Sequence, residues 1–229
     1  EPYASSTAEL VTEFFMNMGY MSNTMNSVLN YRYSLSLPLN DVLSVKYYIN
    51  TDKENTYSYL KSFDEVYEDE NITVFENPNS LAFGIYTDKE MNLNYKLREI
   101  FENHNKLYRF LGAKEDIYDI KAKFICDAKN PVFTYTVEED GFYNMNWNAS
   151  ELTGNSIELR VNQGEFTGLP HFYNRGCHEL NYLQKGDIID VDINEDGGGH
   201  ELYFSIAKIN EEAYKDFIQT AKSNNINLK

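Results

Sequence analysis

The sequence predicts an α+β fold: an N-terminal mixed α/β part, then an antiparallel β-sandwich of jelly-roll type, then a closing C-terminal helix. Apolar residues recur at helical spacing in three places, residues 5–18, 94–111 and 210–222. Between residues 117 and 207, short alternating runs are separated by glycines, as in antiparallel sandwiches. The texture changes after residue 116, so we predict one subdomain over residues 1–116 and a second over residues 117–229.

The N-terminal subdomain is predicted to begin with the helix over residues 5–18, which Gly19 ends because glycine favours the position after a helix. This opening segment closes at Pro38, and Asn40-Asp41 is expected to cap a short helix over residues 42–44. Strands rich in β-branched and aromatic residues are predicted at 45–49, 63–67, 72–75 and 81–86.

The second subdomain follows the helix over residues 94–111, which Gly112 ends. Its clearest alternating runs are residues 133–137, 156–161, 187–193 and 201–206. Asn210 is a suitable N-cap for the closing helix over residues 210–222.

Charge and composition exclude several classes of protein. The chain has 20 Lys and Arg against 36 Asp and Glu, a net charge of −16, so a polyanion such as nucleic acid would be repelled. No run approaches the roughly 20 apolar residues that cross a bilayer. The first residues are Glu1-Pro2, with no signal-peptide pattern, and we interpret the chain as a piece of a longer protein or a processed chain. We expect no cofactor.

The two cysteines, Cys126 and Cys177, lie in separate segments without C-x-x-C spacing, so we expect two semi-buried thiols, with a disulfide as the alternative. Cys177 precedes His178, but neighbours on a strand point to opposite faces, which argues against a nucleophile and base pair. The acidic run 138–140 before Gly141 is most simply an exposed turn.

Two segments contain motifs of their own. Residues 77–80, Asn-Pro-Asn-Ser, have the chemistry of a tight turn, because proline fixes one dihedral angle and asparagine bonds the local backbone. A ligand-binding loop is the alternative. Lys46 lies in a predicted strand and is expected to be exposed, paired with Glu76 or Asp41.

Residues 38–49, PLNDVLSVKYYI, and residues 74–84, VFENPNSLAFG, are similar to two segments of one protein family. The family that the chain resembles is the YfhO family of bacterial membrane proteins, multi-spanning proteins with a core similar to GT-C glycosyltransferases. The helix containing residues 105–112, a late strand beginning at residues 185–187 and the terminal helix match in order. Ala82 stands where many members have proline.

The resemblance implies a soluble extracytoplasmic C-terminal region at the cell membrane. For the whole protein, the resemblance implies transfer of a sugar from undecaprenyl phosphate to a cell-envelope acceptor such as teichoic acid. The partner would be the membrane-embedded remainder of the same protein. The catalytic acid of GT-C proteins belongs to that remainder, so we assign no catalytic residue here. A stand-alone carbohydrate-binding or scaffolding module is the leading alternative, and a secreted hydrolase is a third.

Aromatic residues interleaved with asparagines in the β-rich half suggest contacts with envelope glycans. Aromatic faces stack on sugar rings and amides bond sugar hydroxyls. The competing interpretation is that these aromatics fill the sandwich core, because about half of a strand's side chains face inwards. The candidate glycan-binding residues are Tyr143, Trp147, Asn148, Phe172, Tyr173 and Tyr182.

One string resembles a calcium loop. Asp192, Asn194 and Asp196 occupy the first, third and fifth positions of an EF-hand loop, but Tyr203 falls where the closing glutamate belongs. A polar turn containing three glycines, residues 197–199, is the simpler interpretation. The histidines show no zinc-binding spacing.

Overall fold

The computed structural model confirms the α+β fold with a sandwich of antiparallel sheets and a C-terminal helix. It describes residues 9–23, 28–30, 36–52, 56–82, 84–87, 94–96, 98–127, 133–148, 157–164, 167–169, 175–193 and 201–224. The helices in these ranges are α1 (Glu9–Asn17), α2 (Leu37–Val42), α3 (Ile100–Phe110) and α4 (Glu211–Ser223). Within the described part, no helix is long and apolar enough to traverse a bilayer.

Contacts divide the chain into two compact units that are interleaved in sequence. The sandwich unit comprises Glu1–Leu35, Asn94–Asn103 and Tyr118–Ile209. The small-sheet unit comprises Ser36–Leu93, His104–Ile117 and Asn210–Lys229. This grouping differs from a single division after residue 116, because α4 contributes to the small-sheet unit through contacts with residues far away in sequence.

Eight strands in the described part of the sandwich unit pair as in a jelly roll. They are β6 (Tyr118–Asp127), β7 (Phe133–Thr136), β8 (Gly141–Asn148), β9 (Ile157–Val161), β10 (Thr167–Leu169), β11 (Arg175–Leu183), β12 (Ile188–Ile193) and β13 (Glu201–Ile209). One sheet has the order β10-β9-β12-β7 and the other β11-β8-β13-β6, so that β6 pairs with β13, β7 with β12, β8 with β11 and β9 with β10. The chain therefore wraps as one long hairpin folded over into two sheets.

The core of the sandwich lies between these two sheets. Alternate residues of β8 supply Tyr143, Met145 and Trp147, each fully buried, because successive side chains on a strand face opposite sides. Their partners include Ile189 of β12 and Ile206 of β13. Alternation in the sequence predicted this core correctly for the runs at residues 133–137 and 187–193.

The sandwich unit also contains a short two-stranded sheet, β1 (Met21–Asn23) with β2 (Val28–Asn30). Gly19 follows α1 with φ of +81°, as predicted for a glycine that ends a helix. A Cβ atom there would lie 3.1 Å from Ile100 and 3.2 Å from Cys177, so packing as well as backbone geometry favours glycine at this position.

The small-sheet unit is built on three antiparallel strands, β3 (Tyr47–Asn50), β4 (Asp64–Glu68) and β5 (Thr73–Glu76). Their order in the sheet is β3-β5-β4. The predicted hairpin of the second and third strands is confirmed, with Asp69 accepting hydrogen bonds from the backbone of Asn71 and Ile72 in the turn. Phe75 and Thr73 are buried beneath the sheet.

Three predicted elements of the small-sheet unit and its neighbours need correction. The short helix predicted over 42–44 with Asn40-Asp41 as its cap is wrong in position: α2 begins at Leu37, with Ser36 at the N-cap, and ends at Val42. Pro38 favours this earlier start because proline is favoured in the first turn of a helix. Of residues 81–86, those that the structure describes, 81, 82 and 84–86, form a single bridge at Ile85 rather than the predicted strand. The helix predicted from residue 94 begins only at Ile100, because Lys96 instead exchanges hydrogen bonds with the Asn103 side chain.

Candidate functional site

The two segments that carry the YfhO resemblance meet in the small-sheet unit. Tyr47 of the first segment pairs with Glu76 of the second in the β3–β5 register. The Lys46 ammonium lies 3.3 Å from the Glu76 carboxylate, which confirms the expected pairing with Glu76 rather than with Asp41. The predicted turn is also confirmed, since the backbone amide of Asn79 donates to Asn77 Oδ1 at 3.0 Å.

A buried carboxylate joins these segments to the C-terminal helix. Asp41 is completely inaccessible to solvent. The Tyr214 hydroxyl donates a hydrogen bond to Asp41 Oδ2, and Asn77 Nδ2 donates to Asp41 Oδ1 at 2.6 Å. We call these three residues the clasp. A buried carboxylate needs such donors, because losing water without them would cost several kcal/mol.

The backbone around the clasp is bonded to it as well. Asn77 Nδ2 also donates to the Val45 carbonyl oxygen at 2.7 Å. The backbone amide of Leu81 donates to the Asp41 carbonyl oxygen at 3.0 Å. The Asn77 side chain and the backbone of Asp41 therefore hold the two segments that resemble the family against each other.

Burial controls the electrostatics of the clasp. It raises the pKa of the Asp41 carboxyl from 3.8 to about 6, although the hydrogen bonds from Tyr214 and Asn77 and the charge of Lys222 act in the opposite direction. Burial and the neighbouring Asp41 charge raise the pKa of Tyr214 well above 10. Asp41 thus exchanges its proton in the range of ordinary environmental pH, whereas Tyr214 keeps its proton and stays a donor.

A cleft of about 440 Å³ opens beside the clasp. Its polar groups include the Asp64 and Glu76 carboxylates and the Lys46 ammonium. The remaining lining residues, several of them from the predicted turn, are Asn77, Pro78, Ser80, Leu81 and Ala82. Small concave sites with a few convergent polar groups are the usual form of ligand sites.

The structure places most of the predicted glycan-binding residues away from solvent or outside the described residues. Tyr143 and Trp147 are fully buried in the sandwich core, and Asn148 is 3% exposed. For the two rings, packing in the core is therefore the correct interpretation, and a sugar at the surface does not reach them. Tyr182 is 46% exposed and its ring makes an edge contact with Phe142. Phe172 and Tyr173 lie outside the described residues.

The asparagines that alternate with those aromatics are buried too. Asn144 and Asn146 are fully buried, and Glu179 and Ser205 are each 1% exposed. They lie on the face of the β8 sheet opposite the core, where Asn146 Nδ2 donates to Ser205 Oγ at 3.2 Å. This row is an internal polar layer.

The other candidates are placed as follows. Cys177 is a buried free thiol whose pKa burial raises above its usual range. Burial lowers the pKa of His178 to about 4. In the register of β8 and β11, His178 pairs with Met145 and Cys177 pairs with Asn146. The side chains of Cys177 and His178 therefore lie on opposite faces of β11, as expected for neighbours on a strand. The chemistry of a thiolate nucleophile is therefore disfavoured.

The acidic run before Gly141 is exposed, as expected. Within it, hydrogen bonds from Lys121 and Lys208 lower the pKa of Glu139 to about 2. Among the described residues, no three His, Cys, Asp or Glu side chains lie close enough together to hold a metal ion. Asn194 and Asp196 of the calcium-like string are outside the described residues, and Asp192 is in β12.

Sequence reasoning did not identify the clasp as a unit or Tyr47 and Tyr67 as surface residues. Tyr214 lies 173 positions from Asp41, so no local pattern links them. A tyrosine on the apolar face of α4 was the available signal, because a buried hydroxyl requires a partner.

Comparisons with known proteins assign no family. No family model matches the chain, and no curated protein matches it. A crystal structure of GITRL from bushbaby matches 43% of this chain and 80% of its own, with 17% identity and a TM-score of 0.26. A GH26-CBM35 β-(1,4)-mannanase of Podospora anserina matches 39% of this chain and 25% of its own, with 13% identity and a TM-score of 0.23. A β-glucosidase of Paenibacillus barengoltzii matches 37% of this chain and 10% of its own, with 15% identity and a TM-score of 0.20. These partial likenesses carry no functional argument.

Proposed function

We propose that the chain is the extracytoplasmic, non-catalytic domain of a multi-spanning membrane glycosyltransferase of the YfhO type. That enzyme would modify cell-envelope polymers such as teichoic acid with a sugar from undecaprenyl phosphate. Its membrane-embedded remainder would be the partner of this domain, which shapes access of the acceptor.

The observation that carries the proposal is the clasp. It joins both resembling segments to α4, so the family-like residues coincide with one folded structure rather than with scattered positions. Asp41 is buried, and Glu76 is bonded to Lys46. Both carboxylates are engaged in structural contacts. This fits a domain of a protein whose catalytic groups lie in another region.

A direct test uses the intact gene. Its reading frame should encode several hydrophobic segments of about 20 residues before Glu1. Two membrane preparations are compared, one containing the intact protein and one containing a variant from which residues 1–229 have been deleted. Each receives a radiolabelled sugar linked to undecaprenyl phosphate and a purified envelope polymer. We expect transfer to the polymer to fall at least about tenfold without the domain, because remote contacts orient the acceptor.

The purified 229-residue chain is the control for catalysis. It is expected to transfer and hydrolyse no sugar by itself. Turnover by the isolated chain, or a reading frame without hydrophobic segments, would contradict the proposal.

A stand-alone carbohydrate-binding module is the second candidate function. The observation in its favour is the cleft beside exposed tyrosines of the small sheet. The same reading frame distinguishes the two candidates, since a free-standing module would have no membrane-spanning segments.

A further inference from the structure

The exposed face of the small sheet carries two parallel rows of side chains. Residues paired across neighbouring strands lie on the same face of a sheet. One row contains Tyr47, Glu76 and Asp64, and the next contains Ile49, Val74 and Tyr67. The first row is mainly polar and the second is apolar.

Three of the four apolar side chains of this face are open to solvent, and Val74 between them is half-buried. Tyr47 is 49% exposed, Ile49 65% and Tyr67 53%. We call Tyr47, Ile49, Val74 and Tyr67 the tyrosine face. Large apolar side chains grouped on one surface, rather than scattered singly, typically mark a binding site.

The tyrosine face borders the cleft. Glu76 and Asp64 of the polar row also line the cleft, together with Lys46. A ligand on the face would therefore meet two carboxylates and an ammonium at its edge. With strands about 4.8 Å apart, the face spans about 10 Å across three strands, which suits a short oligosaccharide better than a single sugar ring.

Both tyrosines are held in place before any ligand arrives. The Tyr67 hydroxyl donates to Asp69 Oδ2 at 3.0 Å. The Lys46 ammonium lies 5.1 Å from the centre of the Tyr47 ring and 3.3 Å from Glu76. Fixing a ring in advance reduces the entropy lost when a ligand stacks on it.

Charge selects the class of ligand. The cleft contains two carboxylates and one ammonium, and that ammonium is already paired with Glu76. The neighbouring β4 hairpin adds exposed acidic residues, Glu65, Glu68, Asp69 and Glu70. Phosphate and other anions are repelled here, whereas sugar hydroxyls can donate to carboxylates and the apolar sugar face can stack on tyrosine.

We propose that the tyrosine face and the adjoining cleft bind a neutral oligosaccharide, with Tyr47 and Tyr67 stacking on sugar rings and Asp64 and Glu76 accepting hydrogen bonds from hydroxyls. The assignment of this ligand to the cell envelope rests on the proposed function. Binding itself does not, because it is measured on the purified chain without the membrane enzyme.

The test uses three uncharged probes, maltotriose, cellotriose and triacetylchitotriose, titrated into the purified chain up to millimolar concentration. Binding is followed by two-dimensional amide NMR and isothermal titration calorimetry. We expect at least one probe to bind in the millimolar range and to shift amide signals of β3, β4 and β5. Tyr47→Ala and Tyr67→Ala should each weaken binding about tenfold, a change equivalent to about 1.4 kcal/mol and within the range of aromatic stacking.

Tyr86→Ala is the matched control, since Tyr86 is 66% exposed and does not line the cleft. It should leave the affinity unchanged.

Asp64→Asn should weaken binding without altering the amide spectrum of the sandwich unit. The proposal is overturned if none of the three probes binds, if Tyr86→Ala weakens binding as much as Tyr47→Ala, or if only a cationic peptide such as tetralysine binds in a salt-sensitive manner. None of those results bears on transfer by the intact enzyme, so the two proposals fail separately.

Discussion

At the scale of single residues, the most consequential group is the Asp41 carboxyl. Its pKa in the folded chain is about 6 against 3.8 in the unfolded chain, and burial is the main cause. Between those values the folded state retains a proton that the unfolded state has released. Rising pH therefore favours the unfolded state over this interval, and the contribution of Asp41 to stability falls by on the order of 3 kcal/mol.

Asp41→Asn should remove this pH dependence. The amide keeps an acceptor for the Tyr214 hydroxyl and has no charge to bury. We expect the free energy of unfolding of the wild type, relative to the variant, to decrease as pH rises from about 4 to about 7. Urea unfolding at four pH values measures the difference.

Asp216→Asn is the control for that comparison, because it removes an exposed carboxylate from the same helix α4. Its profile should keep the decrease in stability between about pH 4 and pH 7, because the Asp41 carboxyl is still present. A profile for Asp41→Asn parallel to that of the wild type would mean that the clasp carboxyl titrates alike in folded and unfolded chains, contrary to the expected effect of its burial.

At the scale of elements, close contact between β8 and β11 constrains Gly176. A Cβ atom on Gly176 would lie 2.3 Å from the Trp147 ring, closer than atoms can pack. Gly176→Ala should force the ring to move and destabilise the sandwich unit by about 1–3 kcal/mol, the usual cost of overpacking. Trp147 is the single tryptophan of the chain, so its fluorescence reports the displacement directly.

Gly186→Ala separates the ring clash from backbone strain. Gly186 has φ of +95°, and a Cβ atom there meets nothing within 4 Å. Alanine should cost about 1 kcal/mol through its backbone alone and leave the emission maximum of Trp147 unchanged. An unchanged emission maximum in Gly176→Ala would contradict the close packing of β11 on the ring.

The comparison of sequence and structure is also clearest at this scale. Alternation of apolar and polar residues predicted β7, β9 and β12 correctly. It could do so because the inward-facing and outward-facing residues of a strand alternate within a few consecutive positions of the sequence. The Asn210 cap of α4 was local as well, and its side chain accepts from the Ala213 amide as expected. The start of the strand predicted at residues 81–86 was wrong because the Leu81 backbone amide donates to the carbonyl oxygen of Asp41, forty positions earlier in the chain.

The candidate site was less predictable for the same reason. The sequence suggested Tyr143 and Trp147 as glycan contacts because aromatic residues serve cores and sugar sites equally well, and only the packing of the two sheets distinguishes these roles. Tyr47 and Tyr67 share a face through the β3–β5–β4 register. Which strands pair, and in which register, depends on partners distant in sequence.

At the scale of the whole molecule, charge dominates. Acidic residues outnumber basic residues by 36 to 20, so 16 carboxylates would remain uncompensated even if every cation were paired. Several ion pairs, including Arg109 with Asp116 and Lys46 with Glu76, are largely exposed. Exposed pairs contribute about 0–1 kcal/mol each, whereas repulsion among the excess carboxylates acts on the entire compact state.

Salt should therefore stabilise the chain at neutral pH. Raising NaCl from about 10 mM to about 150 mM shortens the Debye length from about 30 Å to about 8 Å, which screens repulsion across the molecule. We expect the midpoint of thermal unfolding to rise by a few degrees, corresponding to about 1 kcal/mol for a chain of this size.

The same salt titration near pH 4.6, the isoelectric point of the sequence, is the control. There the rise should disappear because attraction and repulsion between charges balance. A midpoint that fell with salt at neutral pH would mean that the ion pairs outweigh the excess negative charge. Equal rises at both pH values would instead indicate an effect of salt on apolar hydration, which does not depend on net charge.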